Sequence, residues 1–274
     1  MAGTNWNEKI HETADYLRSR GVKDPEVGMV LGTGLNDYAE NIEDAIVISY
    51  SDIPNFQKGK VDSHRGEVIF GYRCGKPVII MAGRYHYYES GDIQQTAFPA
   101  RVMIELGIRR IIITNAAGCV NLDWHPGQLM VISDHINLSG ANPLIGPNLD
   151  EYGPRFPDMS FTYNKELRAK LIEEAAKDGV ELVEGVYTMM SGPTFETPAE
   201  IRMIRTMGGD AVGMSSVPEA IVANHAGLEI IGISALCNMA AGILNQPLTN
   251  DEVKEVGQQI SRDFARVVDL AVTI

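Results

Sequence analysis

The chain has 274 residues, and 36 acidic against 23 basic side chains give it a formal charge of −13. Hydrophobic residues at 45% and charged residues at 22% are typical of a globular protein and exclude a disordered one. The acidity excludes a nucleic-acid polymer as partner, because binding to its phosphates requires a basic face. A polar start and the lack of a long apolar run predict no secretion signal and no membrane span. Three cysteines without CxxC spacing suit a reducing compartment, so we expect a cytoplasmic protein.

Strand-like and helical segments alternate along the chain. In the first half, the apolar spacing predicts a helix over 8–20, a strand over 27–31, a hairpin of strands over 67–72 and 77–82, a helix over 95–106 and a strand over 109–114. The second half continues with a strand over 129–133, a long loop over 139–158, helices over 164–178, 198–207 and 217–227, a strand over 229–236 and a helix over 250–272. This alternation predicts a single α/β domain over residues 1–274, with a mixed twisted sheet flanked by helices.

Polar side chains follow the predicted strands, where α/β folds gather their functional groups. Thr33 stands between two glycines, a pattern that suits either an approaching anion or a tight turn. It is not the dinucleotide-binding fingerprint, because Asp37 occupies the third glycine position. Arg84 and His86 lie two residues apart and share one side of an extended segment, and Glu89 is placed to orient the imidazole and favour its cation.

The later strand ends add further polar groups. Small residues at 114–118 allow close approach of a ligand to the backbone at Ala116, or close packing of a helix on a strand. Ser215 stands at a helix start, which is a natural anion site, and Asn238 offers a donor and an acceptor after the last strand. His64 precedes a strand, where a structural role at the hairpin competes with a ligand role.

Residues 191–200 place the carboxylate of Glu196 beside the flat ring of Phe195, which suits a heterocycle that bears N–H donors. The same segment also predicts the start of a helix, with Thr197 as N-cap and Glu200 completing a capping box. Both interpretations can hold together. The sequence shows neither a nucleophile–base triad nor a metal-ligand spacing. We therefore expect a site that binds an anion together with a polar heterocycle, without metal or cofactor.

Taken in order, these motifs resemble those of the trimeric, low-molecular-mass purine nucleoside phosphorylases of the bacterial inosine and guanosine type. The matching stretches are LGTGL (31–35), GRYHYYE (83–89), TNAAG (114–118), GPTFETPAEIRM (192–203), DAVGMSSVPE (210–219) and ISALCNMAAGIL (233–244). The resemblance implies the nucleoside phosphorylase-like fold, a homotrimer and a pentosyltransferase of purine salvage. Its implied reaction converts a ribo- or deoxyribonucleoside and inorganic phosphate, the co-substrate, into free purine and pentose 1-phosphate.

The resemblance also implies a role for each site residue. It assigns the phosphate site to Thr33, His64, Arg84, His86, Ala116 and Ser215. It assigns the purine site to Ala116, Phe195, Glu196, Met214 and Asn238. It assigns the ribose site to Tyr88, Met214, Phe156 from a neighbouring subunit and Asn250, which aligns with a family histidine. The catalytic residues it implies are His86, Glu89, Glu196 and Asn238.

The pairing of Glu196 with Asn238 predicts a preference for 6-oxopurines, because adenine would present an acceptor at N1 to the Glu196 carboxylate. A methylthioadenosine phosphorylase is the alternative enzyme, although its family carries Asp where Asn238 stands. A catalytically silent nucleoside-binding protein and a nicotinamide-dependent dehydrogenase are the remaining alternatives. The intact set of Arg84, His86 and Glu196 argues against the first, and the missing third glycine argues against the second.

Overall fold

The computed structural model describes residues 5–57 and 65–274, apart from the side chains of 250–254. Its α-helices are α1 (Trp6–Ser19), α2 (Tyr87–Ser90), α3 (Ile93–Glu105), α4 (Lys165–Lys177), α5 (Pro198–Thr206), α6 (Val217–His225) and α7 (Asn250–Thr273). Its strands are β1 (Val27–Val30), β2 (Glu43–Ser49), β3 (Glu67–Arg73), β4 (Lys76–Ala82), β5 (Arg110–Cys119), β6 (Leu129–Asn137), β7 (Leu182–Met189), β8 (Ala211–Gly213) and β9 (Glu229–Met239). Two short 3₁₀ helices lie at Asn36–Asn41 and Tyr50–Asp52.

These strands form one mixed sheet in the order β2-β3-β4-β1-β5-β8-β7-β6-β9. Strands β2, β3 and β4 run antiparallel, and β1 lies between β4 and β5, parallel to both. Strand β9 pairs with β6 and also with β5, so that β5, β8, β7, β6 and β9 close into a ring. Each strand of the ring therefore has at least two neighbours, whereas β2 has β3 alone among the described strands.

Both faces of the sheet are covered by helices. Along β4, Ile79 and Met81 pack into one core cluster while Val78 and Ile80 pack into the other, as the two-residue period of a strand requires. Helices α1, α3 and α6 cover the first cluster, and α4 and α7 cover the second. The prediction of an α/β domain with a mixed sheet flanked by helices is confirmed.

The predicted elements are present, with differences that have physical causes. Strand β5 continues beyond the predicted end at 114, because its small residues pair with the whole length of β9. Strands β2 and β7 were not predicted: β2 opens on Glu43 and Asp44 and is largely exposed, and Glu184 and Gly185 interrupt the apolar run of β7. Residues 139–158 contain neither helix nor strand, as expected of the long loop. None of the helices in the described ranges has the length and apolar character needed to cross a membrane.

Candidate active site

A cavity of about 350 Å³ opens where several strands end. It gathers side chains from the ends of β1, β4, β5, β8 and β9 and from the segment before α5. Ten of the predicted site residues line it: Thr33, Arg84, His86, Tyr88, Ala116, Phe195, Glu196, Met214, Ser215 and Asn238. Residues far apart in the sequence thus meet in one cavity.

Close packing brings the ends of β1 and β5 together. A Cβ atom on Gly32 would lie 2.7 Å from the Cα of Asn115, so only a glycine allows this approach. The Gly32 amide donates to Thr114 Oγ1 at 3.1 Å, and that hydroxyl donates to the Val30 carbonyl at 3.0 Å. This contact is between two strand ends, beside a cavity wall, and not between a helix and a strand.

Arg84 is buried at the junction of three strand ends. Its Nη1 donates to Ser215 Oγ at 2.7 Å and Ser216 Oγ at 2.8 Å. Its Nη2 donates to the carbonyl of Thr114 at 2.6 Å and to that of Val30 at 3.4 Å. Because the guanidinium donates to Ser215 Oγ, the hydrogen of that hydroxyl can be donated to an anion in the cavity.

The start of α6 is built tightly around Ser215 and Ser216. Ser216, the N-cap residue, has φ +72°, and its hydroxyl also accepts from Asn115 Nδ2 at 2.9 Å. The Ser215 amide donates to the Tyr187 hydroxyl at 3.3 Å, and a side chain on Gly213 would collide with that hydroxyl. Burial raises the pKa of Tyr187 to about 12, so the phenol stays neutral. A positive φ angle strains the backbone of a residue other than glycine, and strain of the kind seen at Ser216 is typical of functional sites.

Glu89 fixes the position of His86. Its Oε1 accepts from the His86 amide at 2.7 Å and lies 3.2 Å from His86 Nδ1. The imidazole also stacks on the Tyr88 ring, with centroids 4.9 Å apart. His86 and Tyr88 line the cavity, and Glu89, which does not, contacts it through His86.

Glu196 and its neighbours form another part of the wall. Thr197 caps α5 and forms the predicted capping box with Glu200, which leaves the Glu196 side chain independent of the cap. Glu196 is buried, and no described residue hydrogen-bonds its Oε1. Burial raises the pKa of this carboxyl group. Phe195, at 44% exposure, presents its ring beside it.

Besides Glu89, three predicted site residues are not placed in this cavity. Phe156 is 88% exposed, with Arg155 lying 5.7 Å from its ring centroid. His64 lies outside the described residues. Asn250 is the first residue of α7, and its side chain lies outside the described part of the chain.

The structure adds three residues that the sequence did not single out. Asn115 lines the cavity, with a buried Oδ1 that has no hydrogen-bond partner among the described residues. Ser216 and Glu219 contact Arg84 but do not line the cavity themselves. A serine and a glutamate at a helix start are ordinary capping residues, so nothing in the sequence distinguished them.

Comparison with known proteins supports the family that the motifs resemble. The model of the phosphorylase superfamily matches residues 26–273. The chain is 54% identical to purine nucleoside phosphorylase 1 of Geobacillus stearothermophilus over 94% of each chain. It is 48% identical to purine nucleoside phosphorylase 1 of Bacillus subtilis, over 95% of this chain and 96% of the relative.

A solved structure agrees with this assignment. The purine nucleoside phosphorylase of Schistosoma mansoni, crystallised with adenosine, superimposes with a TM-score of 0.91 at 34% identity, over 97% of this chain and 96% of the other. Fold and sequence thus lead to the same family over almost the whole chain. The chain belongs to the phosphorylase superfamily and, within it, to the purine nucleoside phosphorylases.

Proposed function

We propose that this protein catalyses the phosphorolysis of purine nucleosides, releasing the free base and pentose 1-phosphate. The observation that carries the proposal is the meeting, in one cavity, of an Arg–Ser hydroxyl cluster with a buried carboxylate whose Oε1 has no hydrogen-bond partner among the described residues. The first group suits a phosphate, and the second suits a base that bears an N–H. The relatives named above are purine nucleoside phosphorylases, which supports the same reaction.

The phosphate would lie among Thr33, Arg84, His86, Ser215 and the backbone of Ala116, with His64 as a further contact. The guanidinium supplies charge, and the Ser215 hydroxyl, held by Arg84 Nη1, supplies a directed donor. The start of α6 adds the positive end of a helix dipole. A local site of this kind binds an anion even in a chain of net charge −13, because it depends on nearby donors.

The base would lie against Phe195, with Met214 and Ala116 as further contacts. Glu196 accepts a hydrogen bond from N1–H of a 6-oxopurine, and Asn238 hydrogen-bonds N7 and O6. As the glycosidic bond breaks, the ribose becomes oxocarbenium-like and negative charge develops on the purine. Asn238 stabilises this charge, while phosphate stabilises the cation and captures it. We propose that the reaction needs no cofactor, since inorganic phosphate is a co-substrate.

This arrangement favours inosine and guanosine over adenosine. The N1 atom of adenine is an acceptor, so an adenine base would leave the buried Glu196 carboxylate unpaired. A 6-amino purine would favour an acid at position 238, where this chain has an amide. Methylthioadenosine is therefore the less favoured substrate.

The remaining ribose contacts depend on a neighbouring copy of the chain. We propose a homotrimer in which Phe156 of one chain completes the ribose site of the next, beside Tyr88 and Met214. The 88% exposure of Phe156 supports this, because a large apolar ring so exposed gains free energy by burial against a partner. Asn250 would approach the ribose 5′-hydroxyl.

One assay panel tests the proposal. Inosine, guanosine, adenosine and methylthioadenosine are incubated with the protein, with and without phosphate, and base release is measured. We expect phosphate-dependent release of hypoxanthine and guanine, with far less adenine or methylthioadenosine cleavage. Absence of hypoxanthine release in the presence of phosphate would refute the proposed function.

A further inference from the structure

A buried carboxylate lies behind the phosphate-binding wall of the cavity. Oε1 of Glu219, in the first turn of α6, is 3.6 Å from Arg84 Nε, and both side chains are 3% exposed. Among the described residues, neither oxygen of this carboxylate has a hydrogen-bond partner. Burying a carboxylate without hydrogen bonds is costly, so fold stability is a poor explanation for a glutamate at this position.

Arg84 does not need Glu219 to hold its place. Four hydrogen bonds of 2.6–3.4 Å already fix Nη1 and Nη2 to two serine hydroxyls and two carbonyls. The contact from Nε to Glu219 is longer than a hydrogen bond. Glu219 therefore acts on Arg84 through its charge, and its effect extends to whatever the guanidinium binds.

The positive charge of Arg84 is opposed by the negative charge of Glu219 at this wall of the cavity. Within the described part of the chain, Arg84 is the one Lys or Arg side chain that lines the cavity. Tyr187, which contacts Ser215, lies close enough to both buried charges for each to affect its pKa. Besides the effect of burial, Arg84 lowers the pKa of Tyr187 and Glu219 raises it. A phosphate in the cavity must therefore share a single guanidinium with a carboxylate in a region of low dielectric.

We propose that Glu219 is a buried counter-charge that weakens phosphate binding at Arg84, so that phosphate and the phosphorylated product can leave the site. The inference rests on the proposed function to the extent that Arg84 holds the phosphate group. Glu219 does not line the cavity, so it acts through Arg84 and sets the affinity of the site without touching the ligand.

The test compares Glu219→Gln with the matched control Asp269→Asn. Each change removes one negative charge and unpairs an arginine, and Asp269 pairs with Arg73 and Tyr38 away from the cavity. We expect Glu219→Gln to lower the phosphate Kd in calorimetry about fivefold, and to strengthen inhibition by ribose 1-phosphate by a similar factor. The KM for inosine should change less than about twofold, because the base does not contact Arg84.

A merely structural glutamate would give a different pattern. Each variant removes the anion of an ion pair, so a change in Tm does not distinguish them, but only Glu219→Gln should bind phosphate more tightly. An unchanged or larger phosphate Kd in Glu219→Gln overturns the proposal, and so does an equal gain in Asp269→Asn.

The variant Glu219→Asp provides a second test of the charge at this position. If Glu219→Gln does not fold, Glu219→Asp keeps the charge but withdraws it from Arg84, and the phosphate Kd should fall about twofold. An unchanged or larger Kd in that variant also overturns the proposal. A wild-type protein that binds phosphate but releases no hypoxanthine contradicts the proposed function, while the Kd comparison, made without nucleoside, still decides the role of Glu219.

Discussion

The burial of Glu196 lowers the stability of the fold but suits this side chain to bind a purine base. The carboxylate is buried, and burial raises its pKa, which means that the fold opposes the charged form. Because the folded pKa lies above the unfolded one, stability falls as the pH rises from the unfolded pKa to the folded pKa, and above that range the charged carboxylate destabilises the fold. The same charged form is the one that can accept N1–H of a 6-oxopurine.

The variant Glu196→Gln should separate these two effects. We expect it to raise Tm at neutral pH, because the buried charge is removed, and to lower kcat/KM for inosine by about 100-fold or more. Thermal unfolding and steady-state kinetics measure the two changes. A variant with near-native inosine kinetics would contradict the assigned role.

The pH dependence of the wild type gives a second test of Glu196. Its raised pKa predicts that kcat/KM for inosine falls, as the pH is lowered, before an ordinary glutamate would be protonated. The acidic limb of the profile should therefore disappear in Glu196→Gln, which has no carboxyl group to titrate. Persistence of the same limb in the variant would assign it to another group.

At the scale of elements, the site depends on where helices and strands begin and end. The capping box of α5 joins Thr197 to Glu200, directly after Glu196. This cap fixes the backbone from which Glu196 extends, so a local helix-start signal also positions a base-binding group. Strand ends play the same role for Thr33, Arg84 and Asn238.

The variant Thr197→Ala tests this coupling. Loss of the cap should cost about 1 kcal/mol of stability and raise the KM for inosine, because the Glu196 backbone is less well fixed. Thr197→Ser keeps the hydroxyl and should remain close to the wild type in both measurements. If Thr197→Ala lowers Tm but leaves the KM for inosine unchanged, the cap is a stability feature only.

The position of a residue at a strand end or at a helix start explains whether it could be predicted from the sequence. Thr33, Arg84 and Asn238 could be found because each follows an apolar run that identifies its strand without knowledge of the others. Ser216 and Glu219 could not, because helix starts commonly carry such residues and only the tertiary burial makes them unusual. The closed ring of strands was also beyond the sequence, since the pairing of β9 with both β5 and β6 joins distant segments.

At the scale of the whole molecule, two exposed aromatic rings mark a surface suited to contact with another copy of the chain. The long loop ends near Phe156, and Phe161 follows with 81% exposure. Two such exposed rings in one region favour an interface between chains, and the resemblance implies three copies. The mass in solution should then be about three times the chain mass of 30.0 kDa.

The variant Phe156→Ala tests the contribution of a neighbouring chain. We expect the KM for inosine to rise about tenfold in a protein that remains trimeric by light scattering, because a ring buried against the ribose is lost. Phe161→Ala is the matched control and should leave the KM for inosine near the wild-type value. An unchanged KM in trimeric Phe156→Ala would remove this residue from the site.

The closed ring of strands also has a consequence for how the protein behaves at high concentration. A strand with two neighbours offers no unpaired backbone groups to another molecule, so in the described sheet β2 is the exposed edge. That edge begins with the acidic pair Glu43 and Asp44, and its register with β3 is irregular at this end. Charge and irregularity both discourage edge-to-edge aggregation, so the acidic residues of β2 protect the exposed edge of the described sheet.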